Sequence, residues 1–84
     1  MTGEQAVAEL DYTMIIEPAE DEQGSYYCGY FPDLPGCATM GATLDEVRMN
    51  AIDAITGHIE ALKSLGKPVP PPRSRIETVK VKAS

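Results

Sequence analysis

One histidine, two cysteines and thirteen carboxylates are the side chains in this 84-residue sequence that could do bond chemistry. A structural zinc site needs about four converging ligands, and Cys28, Cys37 and His58 stand at no spacing that a metal motif uses. A thiolate nucleophile needs a base beside it, and nothing in the sequence sets one next to either cysteine. Gly36 and Gly41 lack the following Lys and the third spaced glycine of a phosphate-cradling loop. Two-metal hydrolysis would need carboxylates converging from strand centres, yet residues 12–16, YTMII, carry none. The chain therefore reads as a non-enzyme with no metal and no cofactor. His58 falls within an apolar stripe and is expected to be packed there, hydrogen-bonded rather than catalytic.

With bond chemistry set aside, the charge pattern directs attention to binding. Thirteen acids against seven bases give a net charge of −6. Residues 1–62 hold twelve of the acids against the single base Arg48, while residues 63–84 hold six bases against Glu77. Such an acidic body steers a basic partner toward it and repels nucleic acid, which rewards clustered Lys and Arg through counterion release. No apolar run approaches the roughly 18 residues of a membrane span. The start, MTGEQAVAEL, lacks the basic and apolar segments of a secretion signal, so the expected location is the cytoplasm. A chain this short buries only roughly 60–65% of its unfolded surface. A homo-oligomer, dimer or tetramer, is the expected answer to so thin a core.

The elements that must position any binding surface read as β-β-β-α-β. Residues 1–10 are expected to be a frayed helical turn or a flexible start, too short for an isolated helix. Residues 12–17 alternate as a strand, with Tyr12, Met14 and Ile16 on one face and Thr13, Ile15 and Glu17 on the other, and Pro18 is expected to end it. Residues 19–24 read as an acidic connection closing on Gly24. A second strand at residues 25–31 puts Tyr26, Cys28 and Tyr30 on one face and Tyr27 and Phe31 on the other, with Gly29 permitting a bulge or a close approach. Pro32-Asp33-Leu34-Pro35-Gly36 is a strong turn, and residues 37–40 return antiparallel as a third strand. Folding the hairpin about Leu34 sets Phe31 opposite Cys37 and Cys28 opposite Met40, so the two thiols are expected to stay free.

Thr43 and Glu46 have the spacing of a capping box. From there to Leu65, the residues Leu44, Val47, Ala51, Ile52, Ala54, Ile55, Ile59, Leu62 and Leu65 gather on one broad apolar stripe. Gly66 stops this helix, and Pro68, Pro70, Pro71 and Pro72 forbid its continuation. Residues 76–82 alternate again as a final strand, expected parallel beside the first in the order 3-2-1-4, with Lys80 and Lys82 blunting its edge. One helix covers one face of such a sheet. The uncovered face, carrying Tyr27 and Phe31 or else Tyr26 and Tyr30, predicts burial against another protein or a second copy.

The run Phe31-Pro32-Asp33-Leu34-Pro35-Gly36-Cys37 through Gly41-Ala42-Thr43-Leu44-Asp45-Glu46-Val47, then the helix Asn50-Ala51-Ile52 to His58-Ile59-Glu60, Gly66 and Val69-Pro70-x-Pro72, resembles the HicB-like antitoxin family over residues 12–82. The resemblance implies a degraded RNase H-like α+β fold and inhibition of a small basic ribonuclease toxin of the HicA type, which cleaves mRNA with a histidine. The implied mode is stoichiometric occlusion. Asp33, Asp45, Glu46 and Glu17 would pair with basic groups, and Tyr30, Phe31 and Leu34 would supply apolar anchors. Val47 stands where the family usually has Ala, a change expected to act on helix-to-sheet packing. Many members continue into a helix-turn-helix or ribbon-helix-helix module, whereas this sequence stops at Ser84. Residues 11–84 are thus expected to form a single antitoxin domain with no C-terminal DNA-binding domain, and direct promoter binding is in doubt. Two other readings stay open: an orphan oligomeric binding module and a vestigial RNase H-like nuclease.

Overall fold

Two-residue periodicity in the first half of the chain and 3.6-residue periodicity in the second divide the fold into a sheet and a helix laid on it. The computed structural model describes residues 9–83. Its elements are β1 (Ile15–Asp21), β2 (Gly24–Tyr30), β3 (Ala38–Gly41) and α1 (Leu44–Ser64). The sheet is antiparallel in the order β1-β2-β3. The expectation of a frayed start at residues 1–8 lies outside the described residues; Glu9 and Leu10 are exposed and irregular.

Strand β1 runs later than its periodicity suggests, because Pro18 lies inside it, opposite Tyr27, instead of ending it. Residues 19–21 continue the ladder, and the connection shrinks to Glu22-Gln23 between the paired Asp21 and Gly24. Gly24 takes φ 130° there, and the Gln23 N–H donates to Asp21 Oδ1 at 2.8 Å. The closing pair of a two-residue hairpin exchanges both hydrogen bonds, and alternate pairs do so from there. Ile15, Glu17, Ala19 and Asp21 therefore bond to β2, while Ile16, Pro18 and Glu20 point their backbone groups away from it. Proline is tolerated only at such an outward position on an edge strand.

Two successive turns carry β2 into β3. The Leu34 N–H donates to Phe31 O and the Cys37 N–H to Leu34 O, each at 3.0 Å. Pro32 and Pro35 take the second positions of these turns, and Gly36, at φ 86°, supplies the left-handed third position of the second. The turn swings Leu34 inward until it is 0% exposed. Phe31, Leu34, Cys37 and Ala51 form the buried cluster, flanked by Tyr12, Met14, Ala54 and Ile55. Cys28 opposes Met40, and both cysteines are free.

Helix α1 starts as its capping box dictates. The Glu46 N–H donates to Thr43 Oγ1 at 3.1 Å, and Glu46 Oε2 accepts from the Ala42 N–H at 3.0 Å. It stops in a Schellman motif on Gly66, φ 69°, with the Gly66 N–H on Lys63 O and the Lys67 N–H on Leu62 O. The helix sits directly on the sheet because glycines leave room for it. A Cβ at Gly41 would lie 2.8 Å from the Val47 backbone nitrogen, and one at Gly29 would lie 2.8 Å from Met14 Sδ and 3.2 Å from Val47 Cγ1. Val47, fully buried, thus fills the space over Gly29. The apolar stripe is wider in sequence than in effect: Val47 and Ala51 are buried, whereas Leu44, Ile52 and Leu65 are exposed. Three strands make too narrow a sheet to cover all of it.

The fourth strand and the order 3-2-1-4 are not present. Among the described residues no segment pairs with the outer edge of β1, where Pro18 offers no N–H. After the prolines the chain forms no regular element and joins no ladder. The molecule measures 62 × 35 × 23 Å, with a radius of gyration of 16.4 Å against about 12 Å for a compact chain of this length. Among the described residues the architecture is α+β, three antiparallel strands and one helix, and the RNase H-like fold is not part of what is observed.

Candidate binding surface

Register decides which side chains share a face, since directly paired residues project to the same side. Gly29, buried beneath Val47, marks the helix side, along with Ile16 and Thr39 opposite it. The other side carries the rows Ile15-Tyr30-Ala38 and Glu17-Cys28-Met40, with Ala19 beside Tyr26. No described element covers this side. Ile15 is 37% exposed, Tyr30 41% and Met40 58%. Of the two alternatives for the uncovered face, the one with Tyr26 and Tyr30 holds. The result is an apolar platform with Glu17 set into it and Asp21 at its hairpin end.

The seven expected contact residues do not converge. Tyr30 and Glu17 sit in adjacent rows of the open face. Phe31 and Leu34 belong to the buried cluster, so in this conformation they hold the turn and present no surface. Asp45 and Glu46 are exposed at the start of α1, where Asp45 receives Arg48 Nη1 at 2.9 Å in a solvated pair and Glu46 caps the helix. Asp33 stands at the other end of β3, in a turn, and is engaged by its own chain.

That engagement was not foreseeable from spacing. Asp33 Oδ2 accepts the backbone N–H groups of Arg73 and Ser74, both at 2.9 Å, and its Oδ1 accepts the Ser74 hydroxyl at 3.0 Å. Two more bonds hold the same segment: Tyr12 Oη donates to Pro70 O at 2.6 Å, and Thr13 Oγ1 donates to Ser74 O at 3.1 Å. The Pro-rich exit is thereby clasped to the entrance of β1 and to the Pro-Asp turn. The Ser74 and Arg73 N–H groups hold the Asp33 carboxyl below its ordinary pKa. Burial, and then the negative charge of Asp33, push the Tyr12 phenol above its own. Burial also raises the Cys37 thiol, whose Sγ lies 3.5 Å from Ala54 O, an unreactive setting.

The sign of the Asp33 effect sets a pH window. A carboxyl with a lowered folded pKa contributes stability above its unfolded value of about 4, and loses it as pH falls through the lower folded value. Acidification below about pH 4 is expected to lower the protection of the Arg73 and Ser74 amides, taken relative to their intrinsic exchange rates at each pH, ahead of that of the sheet amides. Asp33→Asn should reproduce that pattern at neutral pH. Equal exchange in parent and variant would show that the carboxylate does not hold the segment.

No helix among the described residues is long and apolar enough to cross a membrane, and among them no three His, Cys, Asp or Glu side chains cluster as a metal site would require. What the geometry offers is an open, apolar sheet face on an acidic body. A model of the HicB-like antitoxin of bacterial toxin-antitoxin systems matches residues 12–84, and the chain belongs to that family. The UPF0150 protein Ta0767 of Thermoplasma acidophilum is 40% identical over 74 residues, covering 88% of this chain and 100% of the relative. A UPF0150 protein of Archaeoglobus fulgidus is 34% identical over 56 residues, 67% of this chain and 77% of that one. An uncharacterized 14.9 kDa protein from the rep-hol intergenic region of Haemophilus phage HP1 is 41% identical over 51 residues, 61% of this chain but only 35% of its own. No solved structure gives a significant match.

Proposed function

We propose that this chain is an antitoxin that neutralises a small basic ribonuclease toxin of the HicA type by stoichiometric binding, through the open face of its sheet. The observation that carries the reading is that face: Ile15, Tyr30 and Met40 stand exposed together in a member of an antitoxin family. Apolar anchors ringed by polar groups are the usual source of affinity in protein contacts. Glu17, inside the platform, would meet a cation of the toxin. Asp45 and Glu46, at the helix start, belong to the acidic surround that speeds encounter with a basic partner. The toxin would be silenced by covering its histidine and its RNA-binding surface, which asks nothing catalytic of this chain.

Co-expression with the small basic protein encoded beside it tests the reading. Growth arrested by that protein alone should be restored by this chain, and the two should co-purify at a fixed ratio. Arrest that persists, with no complex, would overturn the antitoxin assignment.

A further inference from the structure

The segment after the clasp has a sequence that suits a strand, in a place where it has no sheet. Residues 75–83 follow Ser74, the last residue held by Asp33, and at about 3.3 Å per residue they span roughly 30 Å. Within them Ile76, Val79 and Val81 are 73%, 80% and 75% exposed; Val79 and Val81 alternate with Thr78, Lys80 and Lys82, while Ile76 falls on the lysine face and Glu77 on the valine face. A β-branched, alternating segment left in water is an unpaired strand rather than a coil suited to solvent.

The same molecule presents the missing complement. Among the described residues the outer edge of β1 is unpaired. It directs the N–H and C=O of Ile16 and Glu20 and the C=O of Pro18 outward, by the alternation set at the hairpin. Of the three outward positions only Pro18 lacks its donor, the edge is seven residues long, and residues 76–82 are also seven. Charge matches as well as length. The edge and its turn carry Glu17, Glu20, Asp21 and Glu22, all exposed, and the segment carries Lys80 and Lys82, with Arg75 just before it, against the single acid Glu77.

We infer that residues 76–82 add as an edge strand to β1 of a second copy, so that two chains exchange their C-terminal segments. The clasp at Asp33 is what makes this specific: it fixes where the segment leaves the body and keeps the Pro-rich stretch from absorbing the slack. An exchanged pair is closed, each copy giving one strand and receiving one, as two-fold symmetry requires. The inference stands independently of the toxin, since it concerns this chain alone.

Mass measurement of the purified full chain by light scattering, with hydrogen exchange read at single amides, tests it. The expected result is a particle of twice the 9.1 kDa chain mass, with slow exchange at the outward amides of Ile16 and Glu20. Val79→Pro combined with Lys80→Pro removes the ladder donor at whichever of the two faces β1, and both residues are exposed on their own body, so circular dichroism should stay that of the parent. In that variant the mass should fall to a single chain and the Ile16 and Glu20 amides should exchange at least tenfold faster. A monomeric parent would overturn the inference. So would a dimer that the paired proline substitutions leave intact, or one whose Ile16 and Glu20 amides exchange alike in both proteins, since the contact would then lie elsewhere.

Discussion

Leu34→Ala is expected to lower the free energy of unfolding by about 2–5 kcal/mol, the range for emptying a fully buried leucine site. In a chain whose buried hydrophobic residues, among those described, are Phe31, Leu34, Cys37, Val47 and Ala51, that is a large share of a stability of typically 5–15 kcal/mol. Leu34 closes one turn with its N–H and opens the next with its carbonyl, and its side chain is what fastens both turns to the helix. Urea denaturation followed by circular dichroism measures the loss. A change under about 1 kcal/mol would mean that the turn repacks and that Leu34 is no part of the core.

Tyr30→Ala should do the opposite: little to folding, much to binding. Tyr30 sits at the centre of the row Ile15-Tyr30-Ala38, exposed on the face that the helix does not reach. If that face receives the toxin, truncating its largest side chain should weaken the complex by about 2 kcal/mol, roughly thirtyfold. The midpoint of urea unfolding should hardly move. Titration calorimetry of parent and variant with the toxin decides the matter, and Met40→Asp, which sets a charge in the neighbouring row, should be at least as damaging. Unchanged affinity in both variants would move the contact off this face. The pair of leucine and tyrosine variants separates two roles that the sequence made look alike, since both residues flank the same Pro-Asp turn.

The elements that local chemistry specifies could be read directly. Thr43, Glu46 and Gly66 bound the helix within a residue at each end, because caps are made by residues close in sequence. The pairing of Cys28 with Met40 followed from the two-proline turn, which leaves little freedom of register. Pro18 misled because a proline breaks a strand only when its missing N–H faces a neighbour, and facing depends on a hairpin two residues long that acidic residues concealed. The fourth strand was inferred from alternation alone, which says that residues 76–82 can pair but not with what. Within the candidate surface, periodicity found the open face and its tyrosines. It could not separate Phe31 from Tyr30, one residue apart, since which parity the helix covers is decided by Gly29 and Val47. Nor could it foresee that the Asp33 carboxylate is occupied, because the contact joins residues 40 and 41 positions apart.

The same separation governs the order of assembly. Sheet and helix are built from hairpins and a cap whose partners lie close along the chain, so they can form early and with little loss of chain entropy. The bonds from Tyr12 to Pro70 and from Thr13 to Ser74 close loops of 58 and 61 residues, and they have little buried surface behind them. They must form late and open first, while the strands and helix beneath them stay intact. The chain thus acquires its body before it decides where its last residues go, and a newly made molecule meets its neighbours with that end still unassigned.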